Sequence, residues 1–441
     1  MVSLFYFCTQ IDEFLAVTYL VLCFAVGIFL SFKTRFIQFR AFPRFVHLLK
    51  HGIKGSHTKS EKEVNPLQAL FASMATTIGM GNIVGPSVAI ISGGPGALFW
   101  LAIYPVIGGV TKFAEVLFSV NMRTKLPNGN ILGGPTQYLK YASWYLAQWY
   151  GVLTLILFAG WSGQQANTLA HVFACEAIPH WVTGSVLAVL LFIVLKGGIV
   201  RIGALASKLV PLMFVLYVGF TGTILLSHPK VLLDAITLVL QHAFNPCAAL
   251  GGFVGASVFA AMRFGVHRSI YITESGLGTS SVAHAMSDVD KPQDQAILAM
   301  FSVIADTILS VLSGLLIIVS GAWVKGEFSN VLIYEVFKSY SPGFGKWVLL
   351  VSITLFVVTT IIGNSFNASQ SFASFTRYRG MIPYYLFLSG IVFWGALAQV
   401  SLVWKIMDVV QVLVAIPHLL GLLFLSITYG HLLDGKVTLK Q

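Results

Sequence analysis

Glycine and polar residues interrupt an apolar stretch of this sequence between Ala75 and Pro86. The segment reads Ala-Thr-Thr-Ile-Gly-Met-Gly-Asn-Ile-Val-Gly-Pro, inside a run long enough to cross a bilayer. Irregular backbone at membrane depth persists only where it lines a cavity. The amides and carbonyls that such a break frees can hold a small ionic solute, as discontinuous helices do in secondary transporters. The segment therefore predicts transport.

The residue types at this break suit an amino-acid zwitterion. A carboxylate needs unpaired amides, and a half-helix that begins near Gly81 and Asn82 presents them with the positive end of its dipole. Gly79 and Gly81 allow backbone to come close to a ligand. The alternative is that the glycines only permit close helix packing, which is common in membranes. We assign Gly79, Gly81 and Asn82 to a substrate site and Gly85 to packing.

The composition is that of a polytopic membrane protein. Of 441 residues, 56% are hydrophobic and 10% are charged, and the mean hydropathy is +0.83, which is too apolar for a soluble protein. About eleven runs have the length of a membrane helix. We therefore predict an all-α fold that forms one integral domain over residues 1–441. The runs lie near residues 13–32, 66–91, 96–120, 148–173, 178–195, 208–227, 249–270, 293–323, 346–369, 382–399 and 404–428.

Basic residues predict how the chain crosses the membrane. With the basic loop at 33–65 in the cytoplasm, 21 of the 27 Lys and Arg residues fall in inner loops and five in outer loops. Lys112 falls within a span. We predict a cell (inner) membrane location, with the amino terminus outside and the carboxyl terminus in the cytoplasm. The net charge of +11 follows from this bias, so it indicates anionic membrane lipid as a partner rather than nucleic acid.

The two halves of the chain each open with a glycine-rich span. After an extra helix at 13–32, ten runs divide into a first repeat at 66–227 and a second repeat at 249–428. Broken helices in corresponding positions are typical of inverted repeats around a midplane site. The halves are not visibly similar, so this division is inferred from topology. The polar and glycine positions along the second opening span are Gly251, Gly252, Gly255, Ser257 and Gly265.

Short motifs occur in a fixed order along most of the chain. They begin with Asn65-Pro-Leu-Gln-Ala, Gly79-Met-Gly-Asn-Ile-Val-Gly and Gly93-Gly-Pro-Gly-Ala-Leu-Phe-Trp. They continue with Lys112-Phe-Ala-Glu and Arg123, Gly133-Gly-Pro and Tyr138, Gln165-Ala-Asn-Thr, Gly197-Gly-Ile-Val-Arg-Ile-Gly, Arg263-Phe-Gly-Val-His-Arg, Glu274-Ser-Gly-Leu-Gly-Thr, Ala283-His-Ala, Pro292 and Gln295, Asp306-Thr, and Thr359-Thr.

This series, between about residues 35 and 425, resembles the signature of the alanine/glycine:cation symporter family, the sodium:alanine symporters. The resemblance implies a leucine-transporter-like fold, in which an extra helix precedes two inverted five-helix repeats with broken first helices. It also implies sodium-coupled, or occasionally proton-coupled, uptake of alanine, glycine and in some members D-alanine.

Paired hydroxyls on a late span indicate the cation site. Sodium prefers hard oxygen ligands, which carbonyls at a helix break and hydroxyls of a facing helix supply. Thr359 and Thr360 match the family's paired threonines, which the resemblance places against the first broken helix. Their alternative role is a hydrogen bond back to their own helix. We assign Thr359 and Thr360 to sodium, with Thr76 as an added ligand and Thr77 as a substrate contact.

Amide side chains gather on the fourth run at Gln164, Gln165 and Asn167. Burying so many donors is costly unless they pair. Asn167 matches a family position that faces the substrate, and we assign Gln164 with it, hydrogen bonding between helices being the alternative for both. Ser257 and the backbone near Phe259 are the predicted substrate contacts on the second broken helix. Their alternative role is helix packing.

The sequence departs from the family pattern close to the predicted site. Met80 stands where members usually have threonine, and Thr273 lies in a run that is usually Ser-Asn-Glu. Pro86 adds stiffness after the break, and Asn364 occupies the place of a tryptophan. Losing that indole predicts a larger or more polar pocket, so Asn364 joins the predicted substrate contacts. The substrate and the coupling ion stay open.

Ionisable residues within spans are functional hypotheses by default. Lys112 and Glu115 are three residues apart on a helix, so we predict that they neutralise each other as a structural pair. Asp306 has two alternative roles, in a coupling pathway or as the anchor of a helix, and the sequence does not decide between them.

Two other classes of protein fit less well. A channel can use a glycine-rich break as a filter, but two unlike breaks and no charged ring favour a gated carrier. An enzyme needs a nucleophile with its base, and Ser87, Ser162 and Asp306 lack a partner at motif spacing. We predict a symporter, not an enzyme, that needs no cofactor and uses sodium as its coupling ion. Proton-coupled carriage of another small neutral amino acid is the alternative, and the oligomeric state is unknown.

Overall fold

The computed structural model describes residues 2–51, 63–245, 258–325, 331–340 and 343–433. Almost all of this part of the chain is helical, and a two-stranded hairpin pairs Thr124 with Leu132. Its elements are α1 (Val2–Lys33), α2 (Ile37–Arg40), α3 (Phe42–His51), α4 (Pro66–Thr77), α5 (Met80–Gly93), α6 (Ala97–Asn121), β1 (Thr124–Lys125), β2 (Ile131–Leu132), α7 (Pro135–Tyr138), α8 (Trp144–Ala174), α9 (His180–Leu195), α10 (Gly198–Ser227), α11 (Pro229–Phe244), α12 (Val258–Thr273), α13 (Ser281–His284), α14 (Pro292–Val319), α15 (Leu332–Tyr340), α16 (Phe344–Thr376), α17 (Met381–Leu397), α18 (Val400–Thr428) and α19 (Gly430–Leu433).

The helices confirm an all-α polytopic membrane protein. Among the described residues, six helices are long and apolar enough to cross a membrane, and the bent pair α4 and α5 makes a seventh candidate span. The helices α9 and α17 are apolar but shorter. The count of eleven spans, the orientation of the termini and the inverted repeat stay predictions.

The first broken helix begins at a fully capped end. The Asn65 side chain accepts a hydrogen bond from the amide of Leu67 at 2.9 Å, and the Asn65 amide donates to Gln68 Oε1 at 3.3 Å. Pro66 occupies the first turn, where its missing N–H costs nothing. The motif Asn-Pro-Leu-Gln therefore fixes where α4 starts.

The broken helix lies at the centre of the bundle, and α1 lies at its edge. The segments α4 and α5 pack against α10, α12, α14 and α16, whereas α1 packs mainly against α18 and α6. Phe14, Val17 and Val21 of α1 are exposed on the side away from these contacts. This placement suits an extra helix that flanks the transport core.

Within the described residues, the second predicted broken helix is interrupted after Thr273 and not at Gly265. Helix α12 runs without a break from Val258 to Thr273. Extended and turn backbone follows from Glu274 to Thr279, with positive φ angles of 56° at Glu274, 94° at Gly276 and 74° at Gly278. We call this segment break 2, and Ile78–Gly79 break 1.

Gly265 shows why the prediction placed the interruption too early. A Cβ atom on Gly265 would collide with the carbonyl oxygen of Ala97, so this glycine permits close packing of α12 on α6. Glycine content alone does not distinguish close packing from unwinding. Residues 246–257, with Gly251, Gly252, Gly255 and Ser257, lie outside the described residues.

The position of break 2 also corrects the charge assignment of α12. We call the end of the bundle with Lys33 and Arg123 the predicted inner end, and the end with Gly94 the predicted outer end. The predicted inner set of basic residues includes Arg263 and Arg268, because the predicted run at 249–270 ends beside them. Since α12 continues to break 2, both arginines lie on its outer side. The other basic loops still favour the predicted inner end.

Candidate functional site

Break 1 is a buried gap in the helix that contains it. Helix α4 ends at Thr77, α5 begins at Met80, and the two are bent by 40°. Ile78 and Gly79 between them have non-helical backbone, with φ and ψ of −85° and 94° at Ile78. Met80 is 1% exposed and Asn82 is fully buried. The predicted interruption is present and faces protein rather than lipid.

Side chains meet the backbone groups that break 1 frees. The Gly79 amide donates to Asn82 Oδ1 at 2.9 Å, and the Met80 amide donates to Gln165 Oε1 at 3.0 Å. The Thr360 hydroxyl donates to the carbonyl of Ile78 at 3.0 Å. An amide oxygen of Gln165 thus lies where a substrate carboxylate oxygen would accept from the start of α5. From the sequence, Gln165 is only one of three amides on this helix and is not assigned to the site.

Two ionisable residues of α6 hold the start of break 2. The Lys112 ammonium donates to the carbonyl of Thr273 at 3.0 Å, and Glu115 Oε1 accepts from the amide of Gly276 at 2.8 Å. Both side chains are fully buried. Among the described residues, the Lys112 ammonium and the Glu115 carboxylate are not within ion-pair distance of each other. The prediction that they neutralise each other by direct contact is therefore wrong. Each satisfies backbone that the end of α12 leaves unpaired.

The rest of break 2 is held by α8, α16 and α18. His418 Nδ1 lies 2.8 Å from the Gly276 carbonyl, and His418 Nε2 lies 2.6 Å from the Tyr138 hydroxyl. A carbonyl only accepts, so Nδ1 carries the proton and Nε2 accepts from Tyr138. Tyr150 donates to the carbonyl of Leu277 at 2.7 Å, and Asn367 donates to that of Thr279 at 3.4 Å.

The two breaks face each other across a short distance. Ser73 of α4 donates to the carbonyl of Ser280 at 3.2 Å. A Cβ atom on Gly81 would lie 2.7 Å from Cε1 of Tyr271, so α5 passes directly beside the end of α12. A Cβ atom on Gly85 would lie 3.3 Å from Cδ1 of Ile272, so the approach there is looser. Gly81 is therefore needed for close approach at the site, and Gly85 serves packing as predicted.

Asp306 of α14 belongs to the same site. Its carboxyl group is fully buried, and neither of its oxygens has a hydrogen-bond partner within the described part of the chain. Thr77 and Asn82 are polar side chains close to this group. The side-chain amide of Asn82 also donates to the backbone carbonyl of Asp306 at 3.3 Å. The sequence left Asp306 undecided, and the structure places it against break 1.

Buried acidic groups outnumber buried basic groups around the two breaks. Glu115, Glu274 and Asp306 interact electrostatically with Lys112, which is the one ammonium among them in the described part of the site. Buried charge is costly unless it is compensated. A cation bound among these carboxyl groups would compensate the charge that they carry when ionised.

The predicted sodium ligands differ in what their hydroxyls contact. Thr360 reaches across to break 1, as described above. Thr359 donates to Leu355 at 2.8 Å, and Thr76 donates to Ser73 at 2.7 Å, each within its own helix. The hydroxyl of Thr77 bonds back in the same way. Such bonds use the proton and leave oxygen lone pairs for a cation. Gly363 brings Thr76 close to α16, since a Cβ there would lie 2.6 Å from Thr76 Cγ2.

The structure separates the three amides of α8. Gln164 Oε1 accepts from the Tyr271 hydroxyl at 2.9 Å, and its Nε2 is buried without a partner. Asn167 instead donates to the carbonyls of Gly395 and Ala398 at the end of α17, at 2.9 and 2.8 Å. Two residues along a helix differ by about 200°, so Asn167 points away from Gln165 and break 1. For Asn167 the structure supports the alternative of helix-to-helix bonding.

The remaining predicted substrate contacts are Ser257, Phe259 and Asn364, and they differ in where they lie relative to the site. Phe259 is 45% exposed near the start of α12, about 20 Å of helix before break 2, so it does not line the site. Ser257 lies outside the described residues. Asn364 is buried one turn after Thr360, and its Oδ1 has no partner. That orphaned acceptor is compatible with a polar pocket, as its replacement of tryptophan predicted.

Aromatic rings and an ion pair cover the site on its predicted outer side. Arg268 and Asp408 form two hydrogen bonds of 2.8 and 2.6 Å. The Trp404 ring lies 5.1 Å from the Arg268 guanidinium and 5.6 Å from the Tyr271 ring. These contacts join α12 to α18 above the breaks.

The contact between Glu115 and break 2 yields a stability prediction. Glu115→Leu leaves the Gly276 amide unpaired, so the free energy of unfolding in detergent should fall by about 1–3 kcal/mol. Glu115→Gln keeps an acceptor oxygen and should lose less. Denaturant titration followed by tryptophan fluorescence measures both. Equal stability of the wild type and the leucine variant would contradict this role.

Comparison with known proteins identifies the family and the fold of this chain. The model of the sodium:alanine symporter family matches residues 2–435. A transporter of Haemophilus influenzae described as uncharacterized is 33% identical, over 94% of this chain and 92% of that protein. Sodium/alanine symporter AgcS of Methanococcus maripaludis is 31% identical, over 92% and 91%. The crystal structure of MhsT in complex with L-phenylalanine has a TM-score of 0.64 at 15% identity, over 84% of this chain and 91% of that chain, which confirms the leucine-transporter-like fold. The chain belongs to the sodium:alanine symporter family, and it is a cation-coupled amino-acid symporter rather than an enzyme.

Proposed function

We propose that this protein imports alanine or glycine together with sodium by alternating access, and that D-alanine is a further substrate. The observation that carries the proposal is the pair of facing breaks with their excess of buried carboxyl groups. A zwitterion and a sodium ion supply the charges and polar atoms that such a site requires. The printed name of AgcS, a sodium/alanine symporter, supports the choice of solutes.

The substrate carboxylate binds at the start of α5. There it replaces Gln165 Oε1 at the Met80 amide and meets the positive end of the helix dipole. Asn82 shapes this end by capping Gly79. Gln164, with its free Nε2, and Asn364, with its free Oδ1, supply a donor and an acceptor nearby.

Sodium binds where α16 crosses break 1. Thr360 already contacts the Ile78 carbonyl, so one small shift of its hydroxyl gives a cation two oxygen ligands. Thr359 and Thr76 keep free lone pairs and complete the ligand set. Asp306 adds negative charge on the opposite side of break 1 and favours the ammonium of the substrate as well as the ion.

The size of the solute follows from the walls of the site. A Cβ atom on Gly79 would lie 2.5 Å from the hydroxyl oxygen of Thr360, and one on Gly81 would lie 2.7 Å from Cε1 of Tyr271. The two glycines therefore hold α5 close to α16 and α12, which suits a compact solute such as alanine or glycine. Longer side chains need movement of Tyr271, which also closes the site toward Trp404.

Uptake into proteoliposomes tests the proposal. With an inward sodium gradient, the wild type should accumulate radiolabelled alanine and glycine above the external concentration. With potassium replacing sodium and no proton gradient, accumulation should disappear. A panel of L- and D-amino acids then defines the substrates. Full uptake driven by a proton gradient without sodium would instead support the second candidate, a proton-coupled carrier, which the unbonded oxygens of Asp306 favour.

A channel predicts a different result in the same vesicles. A carrier exchanges internal labelled alanine for external unlabelled alanine at steady state, because one site alternates between the two faces. A channel shows no such counterflow. Its absence together with rapid passive flux would overturn the carrier mechanism.

A further inference from the structure

A cavity of about 240 Å³ lies between α6 and α14. Helix α6 lines it with Ala102, Pro105, Val106 and Gly109, which share one face because they are spaced three and four residues apart. Because these side chains are small or short, a groove remains open along this face of α6. Val106 and Ile304 at its walls are 43% and 42% exposed, so the cavity opens sideways toward the lipid rather than toward either break.

The lining of this cavity is apolar except for Thr307 and for Gln38 at its predicted inner end. Residues 300 to 308 of α14 form the second wall, and Gln38 and Phe39 of α2 close the inner end. Gln38 donates to Ser31 at 3.1 Å, while its Oε1 is buried without a partner. The cavity therefore combines an apolar slot with a polar group at its predicted inner end.

The basic segment beside this end is held in place. Arg44 of α3 makes two hydrogen bonds to the Asp294 carboxylate in the first turn of α14, at 3.0 and 2.7 Å. The Phe45 ring lies 4.8 Å from the ring of Phe301, which itself lines the cavity. These contacts fix α3, and α2 just before it, relative to the slot.

Two cations on this platform have no acidic partner in the described part of the chain. Arg35 and Arg40 are exposed, and Arg40 donates to the Arg35 carbonyl at 3.4 Å, so both belong to one turn. Arg40 directly follows Phe39, which closes the cavity. Phe32 and Phe36 beside them are exposed, as interfacial aromatic residues are. Positive charge thus lies at the mouth of an apolar slot.

We propose that one anionic phospholipid of the inner leaflet binds at this place, with an acyl chain in the cavity and its phosphate between Arg35 and Arg40. An apolar slot that opens into the bilayer suits an acyl chain, and paired arginines at the surface suit a phosphate. Thr307 lines the slot and directly follows Asp306 of the transport site. The bound lipid therefore supports the wall of α14 that carries Asp306.

Native mass spectrometry of the delipidated full-length protein tests this site. The probes are dioleoylphosphatidylglycerol and dioleoylphosphatidylcholine, which share their chains and differ in net charge. The wild type should retain one phosphatidylglycerol at about a tenth of the concentration that phosphatidylcholine requires. Arg35→Gln with Arg40→Gln should remove this preference. Gly109→Leu should weaken both lipids, because its Cβ has ordinary contacts, 3.6 Å from Met300, and the longer side chain fills the slot.

Matched variants control for charge and bulk. Lys196→Gln with Arg201→Gln removes two exposed cations at the same predicted end, and Ile103→Phe adds bulk to α6 outside the slot. Both should retain lipid as the wild type does. Equal retention of the two lipids by the wild type, or unchanged binding to Gly109→Leu, would overturn the proposal. So would an equal loss in the control variants.

Discussion

Replacing Thr360 by valine should raise the sodium concentration for half-maximal alanine uptake about 10- to 100-fold, the effect expected when a cation loses one uncharged oxygen ligand. Thr360 is the predicted ligand whose hydroxyl reaches across to break 1, at 3.0 Å from the Ile78 carbonyl. Valine keeps the shape of the side chain and removes only the oxygen. Uptake at varied sodium and saturating alanine measures the change.

Two neighbouring variants make this result specific. Thr360→Ser keeps the hydroxyl and should retain most of the sodium affinity. Thr354→Val removes a hydroxyl of the same helix that bonds back to Leu350 at 2.7 Å, and it should leave uptake close to that of the wild type. If Thr360→Val keeps normal sodium dependence, the cation does not bind between α16 and break 1.

Replacing Gly81 by alanine should reduce alanine uptake about 10- to 100-fold, because the added methyl group overpacks the contact between α5 and the end of α12. Its Cβ would lie 2.7 Å from Cε1 of Tyr271, closer than a carbon atom can approach without displacement. Either Tyr271 moves into the site or the two breaks separate. Initial uptake rates, corrected for the amount of protein in the vesicles, measure the loss.

Gly85→Ala is the matched control on the same helix. Its Cβ would lie 3.3 Å from Cδ1 of Ile272, the flexible end of a side chain, which can shift by the small amount required. Its uptake should fall less than about threefold. Similar losses in the two variants would mean that Gly81 serves general packing rather than the substrate site.

The first break could be predicted from sequence because its signals are local. Two glycines and an asparagine fall together within one apolar run, which favours a helix that opens where a cavity meets the freed backbone. The second break could not be placed in this way. Gly265 permits close packing, whereas Gly276 and Gly278 adopt positive φ, and the sequence shows the same residue type in both.

Contacts between distant segments account for most of the other differences. Gln165 reaches break 1 while Asn167 bonds to α17, although they are two residues apart on one helix. Lys112 and Glu115 were predicted to pair because they are close in sequence. In the structure each finds a backbone partner more than 150 residues away. Local spacing does not indicate such partners, because the packing of α6 on α12 creates them.

Equilibrium binding of radiolabelled alanine to the purified protein, with and without sodium, tests most directly whether the two breaks bind both solutes at one site. If they do, sodium should lower the Kd for alanine at least about tenfold, and alanine should lower the Kd for sodium by the same factor, since coupling between two ligands is reciprocal. A Kd for alanine that is the same in sodium and in potassium would contradict the shared site.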